Sequence, residues 1–127
     1  MSLDEIRNVH RSKTGSLIRF SALAGAIIAE ANQLELKAIA EYGSALGLLF
    51  QITDDLLDVT ETSEMLGKTA GKDVYAGKAT YPAAIGEAES RKLAATVYAE
   101  AEAALKQIER PVELLRSVAE FILYRHS

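Results

Sequence analysis

Cysteine and tryptophan are absent from the 127 residues. Without cysteine there is no disulfide scaffold, no thiolate metal site and no cysteine nucleophile. Proline occurs only as Pro82 and Pro111, so little in the chain breaks a helix. No apolar run approaches about 18 residues, and no segment reads as a membrane span. No signal peptide opens the sequence, which sets the cytoplasm as the expected location. Basic residues are in the minority, Lys+Arg 14 against Asp+Glu 18, for a net charge of −4. A nucleic-acid binder normally shows the opposite balance, so no nucleic-acid partner is expected.

What is present is an ordinary globular mixture, 49% apolar and 25% charged, of a size that suits one domain. Alanine is abundant, with leucine, glutamate and lysine in support, and β-branched runs and Asn-Gly turns are missing. That composition predicts an all-α fold.

The first helix is expected from Lys13 or Thr14, capped by Ser12, to about Glu30. Leu17, Ile18, Ser21, Ala24, Gly25 and Ile28 recur there at helical spacing. A second, longer helix is expected over about Gln33 to Val59. Leu34, Ile39, Leu46, Leu49, Phe50, Ile52, Leu56 and Leu57 make it apolar over most of its girth, the mark of a buried helix. Thr60 to Thr80 reads as a loop carrying Gly67, Gly71 and Gly77 with Lys68, Lys72 and Lys78. Helical pattern returns at Tyr81, with Pro82 in a first-turn position, as one helix or a broken pair to about Ile108. Leu93, Val97, Leu105 and Ile108 are its expected core contacts. Pro111 opens a last helix with a stripe of Leu114, Leu115, Val118, Phe121 and Ile122.

The segment Phe50-Gln51-Ile52-Thr53-Asp54-Asp55-Leu56-Leu57-Asp58 carries the chemistry. At about 100° per residue, Asp54, Asp55 and Asp58 fall within about 60° of Gln51. Gly47 and Ser44 share that sector one and two turns earlier. Clustered aspartates are costly in a helix, because Asp is a poor helix former and the helix dipole opposes acids near the C-terminal end. At an effective dielectric of about 20 and a spacing of about 6 Å, one carboxylate repulsion is roughly 3 kcal/mol. A divalent cation removes that penalty. Hard oxygen ligands at this spacing suit Mg²⁺, which takes one or two carboxylates and shares itself with substrate phosphates. A solvated acidic face is the alternative reading.

Glycine lets a backbone approach an anion and lysine supplies point charges, so the loop that follows complements such a site. It is not a Walker A loop: Gly67 and Gly71 are one residue too close, and Asp73 stands where a hydroxyl belongs. Lys13-Thr14-Gly15, at the expected start of the first helix, adds free backbone N–H groups and a further lysine. Judged by themselves, these two segments read as an ordinary solvated loop and an ordinary helix start; it is beside the acids that they gain meaning. His10 and His126 belong to no visible constellation.

Taken together, Lys13-Thr14-Gly15, Phe50-Gln51-x-x-Asp54-Asp55-x-x-Asp58, Gly67-Lys68, Gly71-Lys72-Asp73 and Gly77-Lys78-x-x-Tyr81-Pro82 resemble the trans-isoprenyl diphosphate synthases, bacterial farnesyl and geranylgeranyl diphosphate synthases above all. The resemblance runs from about Ile6 to the C-terminus. It implies a partial isoprenoid-synthase bundle and a Mg²⁺-dependent prenyltransferase that condenses isopentenyl diphosphate with an allylic diphosphate. It implies Asp54, Asp55 and Asp58 as the second acidic metal motif, Asp54 the direct ligand and Asp55 one step removed. Lys13, Lys68 and Lys78 match lysines on the allylic diphosphate. Thr14 and Gln51 match residues beside the allylic carbon, and Phe50 an aromatic near the isopentenyl group. The small-residue face of Gly43, Ser44 and Gly47 borders either the hydrocarbon pocket or a neighbouring helix.

The family's first aspartate-rich motif and its isopentenyl-diphosphate-binding Gly-Lys-x-x-Arg segment are absent. The resemblance therefore implies that residues 1–127 are the C-terminal portion, roughly two fifths, of such a domain, inactive alone. An apolar flank left uncovered on the long helix predicts self-association, as a homo-oligomer or a rearranged bundle. The alternatives are a non-catalytic or regulatory subunit paired with a chain carrying the first acidic motif, and a plain helical interaction module.

Overall fold

The computed structural model of the chain describes residues 2–65 and 80–125, with the backbone alone at 3, 4, 6, 7, 10, 11 and 61–65. Among these residues there are five helices and no strands, as the composition predicts. They are α1 (Leu3–Ile28), α2 (Gln33–Met65), α3 (Tyr81–Ile85), α4 (Glu87–Leu105) and α5 (Glu113–Tyr124). The Gly/Lys loop with Lys68, Lys72 and Lys78 lies outside the described residues, as do His126 and the side chain of His10.

Helix α1 begins ten residues before the expected start. Ser2 Oγ accepts from the Glu5 N–H at 3.2 Å, and Glu5 Oε2 accepts from the Ser2 N–H at 2.6 Å. This reciprocal box satisfies two of the donors that a helix start otherwise leaves open. Lys13-Thr14-Gly15 is therefore mid-helix, and its amides are committed to the helix rather than free for an anion. Beyond the end of α1 at Ile28, Asn32 starts the next helix. Asn32 Oδ1 accepts from the Glu35 N–H at 2.8 Å, and Glu35 Oε1 accepts from the Asn32 N–H at 3.0 Å.

Helix α2 is the spine. Tyr42, Leu46, Leu49, Ile52 and Leu56 are buried in the core against Ala94, Val97, Ala101, Ala104 and Leu105 of α4 and Ala119 and Ile122 of α5. Alanines on α4 let that helix approach the large α2 side chains closely, and burying Leu49 or Ile52 in full is worth about 1.5–3 kcal/mol each. The buried Tyr42 hydroxyl donates to the Leu115 carbonyl at 2.7 Å. Leu93 and Ile108 are half-buried at the core's edge.

Helices α1 and α2 run antiparallel in close contact. A Cβ on Gly43 would meet Arg19 Cα at 3.0 Å, and one on Gly47 would meet Gly15 Cα at 3.0 Å. The small-residue face thus serves helix packing at Gly43 and Gly47, while Ser44 is exposed. The α3–α4 break falls at Gly86, whose φ of 89° and ψ of 160° lie in a region reserved for glycine.

The stripe expected on the last helix is displaced. Leu114, Val118 and Phe121 are exposed, and Ala119 and Ile122 are buried with Leu115 beside them. Two parallel apolar stripes run along this helix about 100° apart. The one holding the alanine packs, because its small side chain lets the backbone come near. Leu17 and Ile28 of α1 and Leu34 of α2 are likewise exposed rather than in the core.

Candidate functional site

The acidic segment sits in the second half of α2, where the core side of the helix is defined by Leu49, Ile52 and Leu56. Of the three aspartates, Asp55 lies angularly nearest that side. It is 4% exposed, and its Oδ2 accepts from the Tyr81 N–H at 3.1 Å. Tyr81 opens α3, so this carboxylate ties the start of α3 back onto the spine. Burial with a backbone donor gives Asp55 a structural role, fastening α3 to α2.

Asp54 and Asp58 lie on the other flank. The Asp54 side chain is 49% exposed, Asp58 is exposed, and Gln51, about one turn before Asp54, is half-buried. The three aspartates do not converge: among the described residues no group of three acids or histidines is placed to hold a metal. The donor set that remains is two hard carboxylates one helical turn apart. That number fits magnesium, which binds proteins through one or two carboxylates and takes its other oxygens from phosphate and water.

Phe50 and Asp54 are linked by a residue that the sequence reading passed over. Arg125, at the C-terminal end of α5, stacks its guanidinium over the Phe50 ring at 4.4 Å. Its Nη2 donates to Thr53 Oγ1 at 3.1 Å and to the Phe50 carbonyl at 3.4 Å. The same nitrogen lies 4.0 Å from Asp54 Oδ1. Arg125 follows the last apolar turn of a short helix next to the chain's end, and no spacing connects it to residues some seventy positions earlier. The one available signal was a lone cation closing an amphipathic helix.

The α1 candidates meet the site less directly. The Gly15–Gly47 and Arg19–Gly43 contacts set a register in which Lys13 and Thr14 lie at the level of the turn between Gly47 and Gln51. Thr14 is half-buried. Lys13 is about 200° around α1 from Gly15, and it lines a groove of α1's own surface with Ser12, Ser16 and Phe20. Among the described residues no ion pair joins it to Asp54 or Asp58. Lys68 and Lys78 lie outside the described residues.

An all-helical chain with a two-carboxylate flank on a buried spine is the class that fold and site define. Comparison with known proteins gives the family. The polyprenyl synthetase family model matches residues 1–115, and the chain belongs to that family. It is 41% identical over 98% of its length to the chloroplastic geranylfarnesyl diphosphate synthase of Leucosceptrum canum, covering 35% of that protein. It is 41% identical over 100% of its length to the chloroplastic geranylgeranyl pyrophosphate synthase 12 of Arabidopsis thaliana, covering 36% of it. With the chloroplastic geranylgeranyl pyrophosphate synthase of Capsicum annuum the identity is 38% over 98% of the chain and 34% of the relative. The chain thus spans about a third of the length of the curated relatives it matches. These relatives are named as chloroplast proteins, which overturns the cytoplasmic expectation. No described helix is long and apolar enough to cross a membrane.

Proposed function

We propose that this chain supplies the second acidic half of a magnesium–diphosphate site in a prenyltransferase joining isopentenyl diphosphate to an allylic diphosphate. The observation that carries the reading is the split of the aspartates. Asp54 and Asp58 stay accessible one turn apart on a helix whose opposite side is core, while Asp55 is spent on Tyr81. Two acids kept on an accessible flank of a buried helix cost stability, and cation binding offsets that cost. The relatives' names as diphosphate synthases support the substrate class.

In this reading Asp54 and Asp58 hold Mg²⁺, and Lys13, Lys68 and Lys78 bind the oxygens of the allylic diphosphate. When bound, the metal neutralises charge on the departing diphosphate, so that the allylic C–O bond ionises more easily. Thr14 and Gln51 turn their oxygens toward the allylic carbon as positive charge grows there. Phe50, held by Arg125, flanks the isopentenyl group. The sequence contains one Asp-Asp-x-x-Asp, so turnover depends on an acidic motif supplied from elsewhere, within a longer protein or by a second chain. Apolar residues left on the surface of α1 and α5, Phe20 and Phe121 each at 68% exposure among them, favour such assembly, including with copies of itself.

Calorimetric titration of inorganic pyrophosphate into the chain in magnesium buffer tests the site. Binding that requires magnesium and disappears in Asp54→Asn and Asp58→Asn is the expected result. No heat and no rise in melting temperature would leave a plain helical module. Condensation of the two substrates only after addition of a chain bearing the first acidic motif is the expected result for the reaction itself.

A further inference from the structure

We infer that Arg125 is a positioning residue for the candidate site, holding Phe50 and Asp54 in one arrangement from the far end of the chain; this rests on the reading of Asp54 as a metal ligand. The guanidinium is anchored on three sides. The Phe50 ring lies 4.4 Å beneath it, Thr53 Oγ1 accepts from Nη2 at 3.1 Å, and the Phe50 carbonyl accepts at 3.4 Å. Thr53 is itself fixed, since it is buried and its hydroxyl donates to the Leu49 carbonyl at 3.0 Å. The Arg125 side chain is only 11% exposed, while Asp54, 4.0 Å from Nη2, is 49% exposed. A rigid cation therefore faces a half-exposed carboxylate, and it biases the carboxylate's orientation without sealing it off.

Stability alone does not account for this arginine. Its Nε is buried without a hydrogen-bond partner among the described residues, a cost that an apolar side chain packed on Phe50 would avoid. A lysine would keep the charge but lose the planar fork that spans Thr53 and the Phe50 carbonyl. What arginine adds is geometry: one flat group in contact with an aromatic ring, a helix carbonyl, a hydroxyl and an acid within a single turn of α2. Thr53 and Arg125 touch neither the metal nor the substrate in this account; they act through Phe50 and Asp54.

The test compares pyrophosphate affinity in magnesium buffer for the 127-residue chain, Arg125→Gln and Arg125→Lys, well below all three melting temperatures. Loss of an outer partner of a metal-binding group typically weakens affinity about tenfold or more, and that loss is expected for Arg125→Gln, with Arg125→Lys recovering little of it. A merely structural arginine would lower the melting temperature and leave affinity within about twofold of the parent, which overturns the inference. Full recovery by Arg125→Lys also overturns it, in favour of net charge. If Arg125→Gln does not fold, Thr53→Val removes one anchor and is expected to weaken binding about threefold; unchanged affinity there is equally decisive against. No pyrophosphate binding by the parent chain overturns the site reading itself, and this inference with it.

Discussion

Asp54 and Asp55 are adjacent in sequence and differ entirely in what they do. Replacing Asp55 by Ala removes the bond from the Tyr81 N–H to the carboxylate, and a hydrogen bond to a charged group is worth about 1.5–3 kcal/mol. Thermal melting should show that loss. Asp58→Ala, at an exposed position, should melt within about 0.5 kcal/mol of the parent yet abolish magnesium-dependent pyrophosphate binding. The helical sector holding all three acids was legible from spacing alone. Their separation was not, because it depends on where α3 lands, and α3 returns to α2 after a long intervening segment. Burial also pushes the Tyr42 hydroxyl up to about 12 from an ordinary 10. The folded chain keeps that proton where the unfolded chain releases it. The contribution is therefore complete below pH 10, declines as pH rises between about 10 and 12, and is lost above that. Tyr42→Phe should flatten this part of the melting profile while costing about 1 kcal/mol at neutral pH for the lost bond to the Leu115 carbonyl.

At the scale of elements, two glycines in mutual contact should respond with opposite sign. Gly47→Ala places a methyl 3.0 Å from Gly15 Cα; backbone cannot yield as a side-chain tip can, so α1 and α2 must part at a cost of about 1–3 kcal/mol. Gly15→Ala meets nothing within 4 Å and should gain about 0.5–1 kcal/mol from helix propensity. Melting temperatures of the two variants check the pair. Helix type and order were readable because alanine and leucine spacing is strong; whether Tyr81 to Ile108 formed one helix or two was left open, and Gly86 decides it. The start of α1 was missed although Ser2 and Glu5 stand at capping-box spacing. The polar stretch that follows conceals its helical period, and Lys-Thr-Gly imitates a start. On α5, periodicity identified an amphipathic helix but could not choose between two neighbouring apolar stripes. That choice belongs to the partner surface.

For the whole molecule, the outward apolar residues set the expected behaviour in solution. Leu17 and Phe20 on α1 and Leu114 and Phe121 on α5 are all exposed. Sedimentation at rising micromolar concentration should show association, reduced by Phe20→Glu or Phe121→Glu if the respective face is the one used. A monomer throughout that range would count against assembly.

Arg110 gives the molecule a fastened end. Its guanidinium donates to the carbonyls of Ala29 and Glu30, at 2.8 and 3.4 Å, and pairs with Glu35 at 3.0 Å, so one side chain staples the turn between α1 and α2 to the segment before α5. The acids, Gly86 and Arg125 are all at the opposite end. That end is tied as well, by Asp55 to the start of α3 and by Arg125 to Phe50 and Thr53. Amide exchange should be slow beside both ties, and ligand binding should slow it further around Asp54 and Asp58.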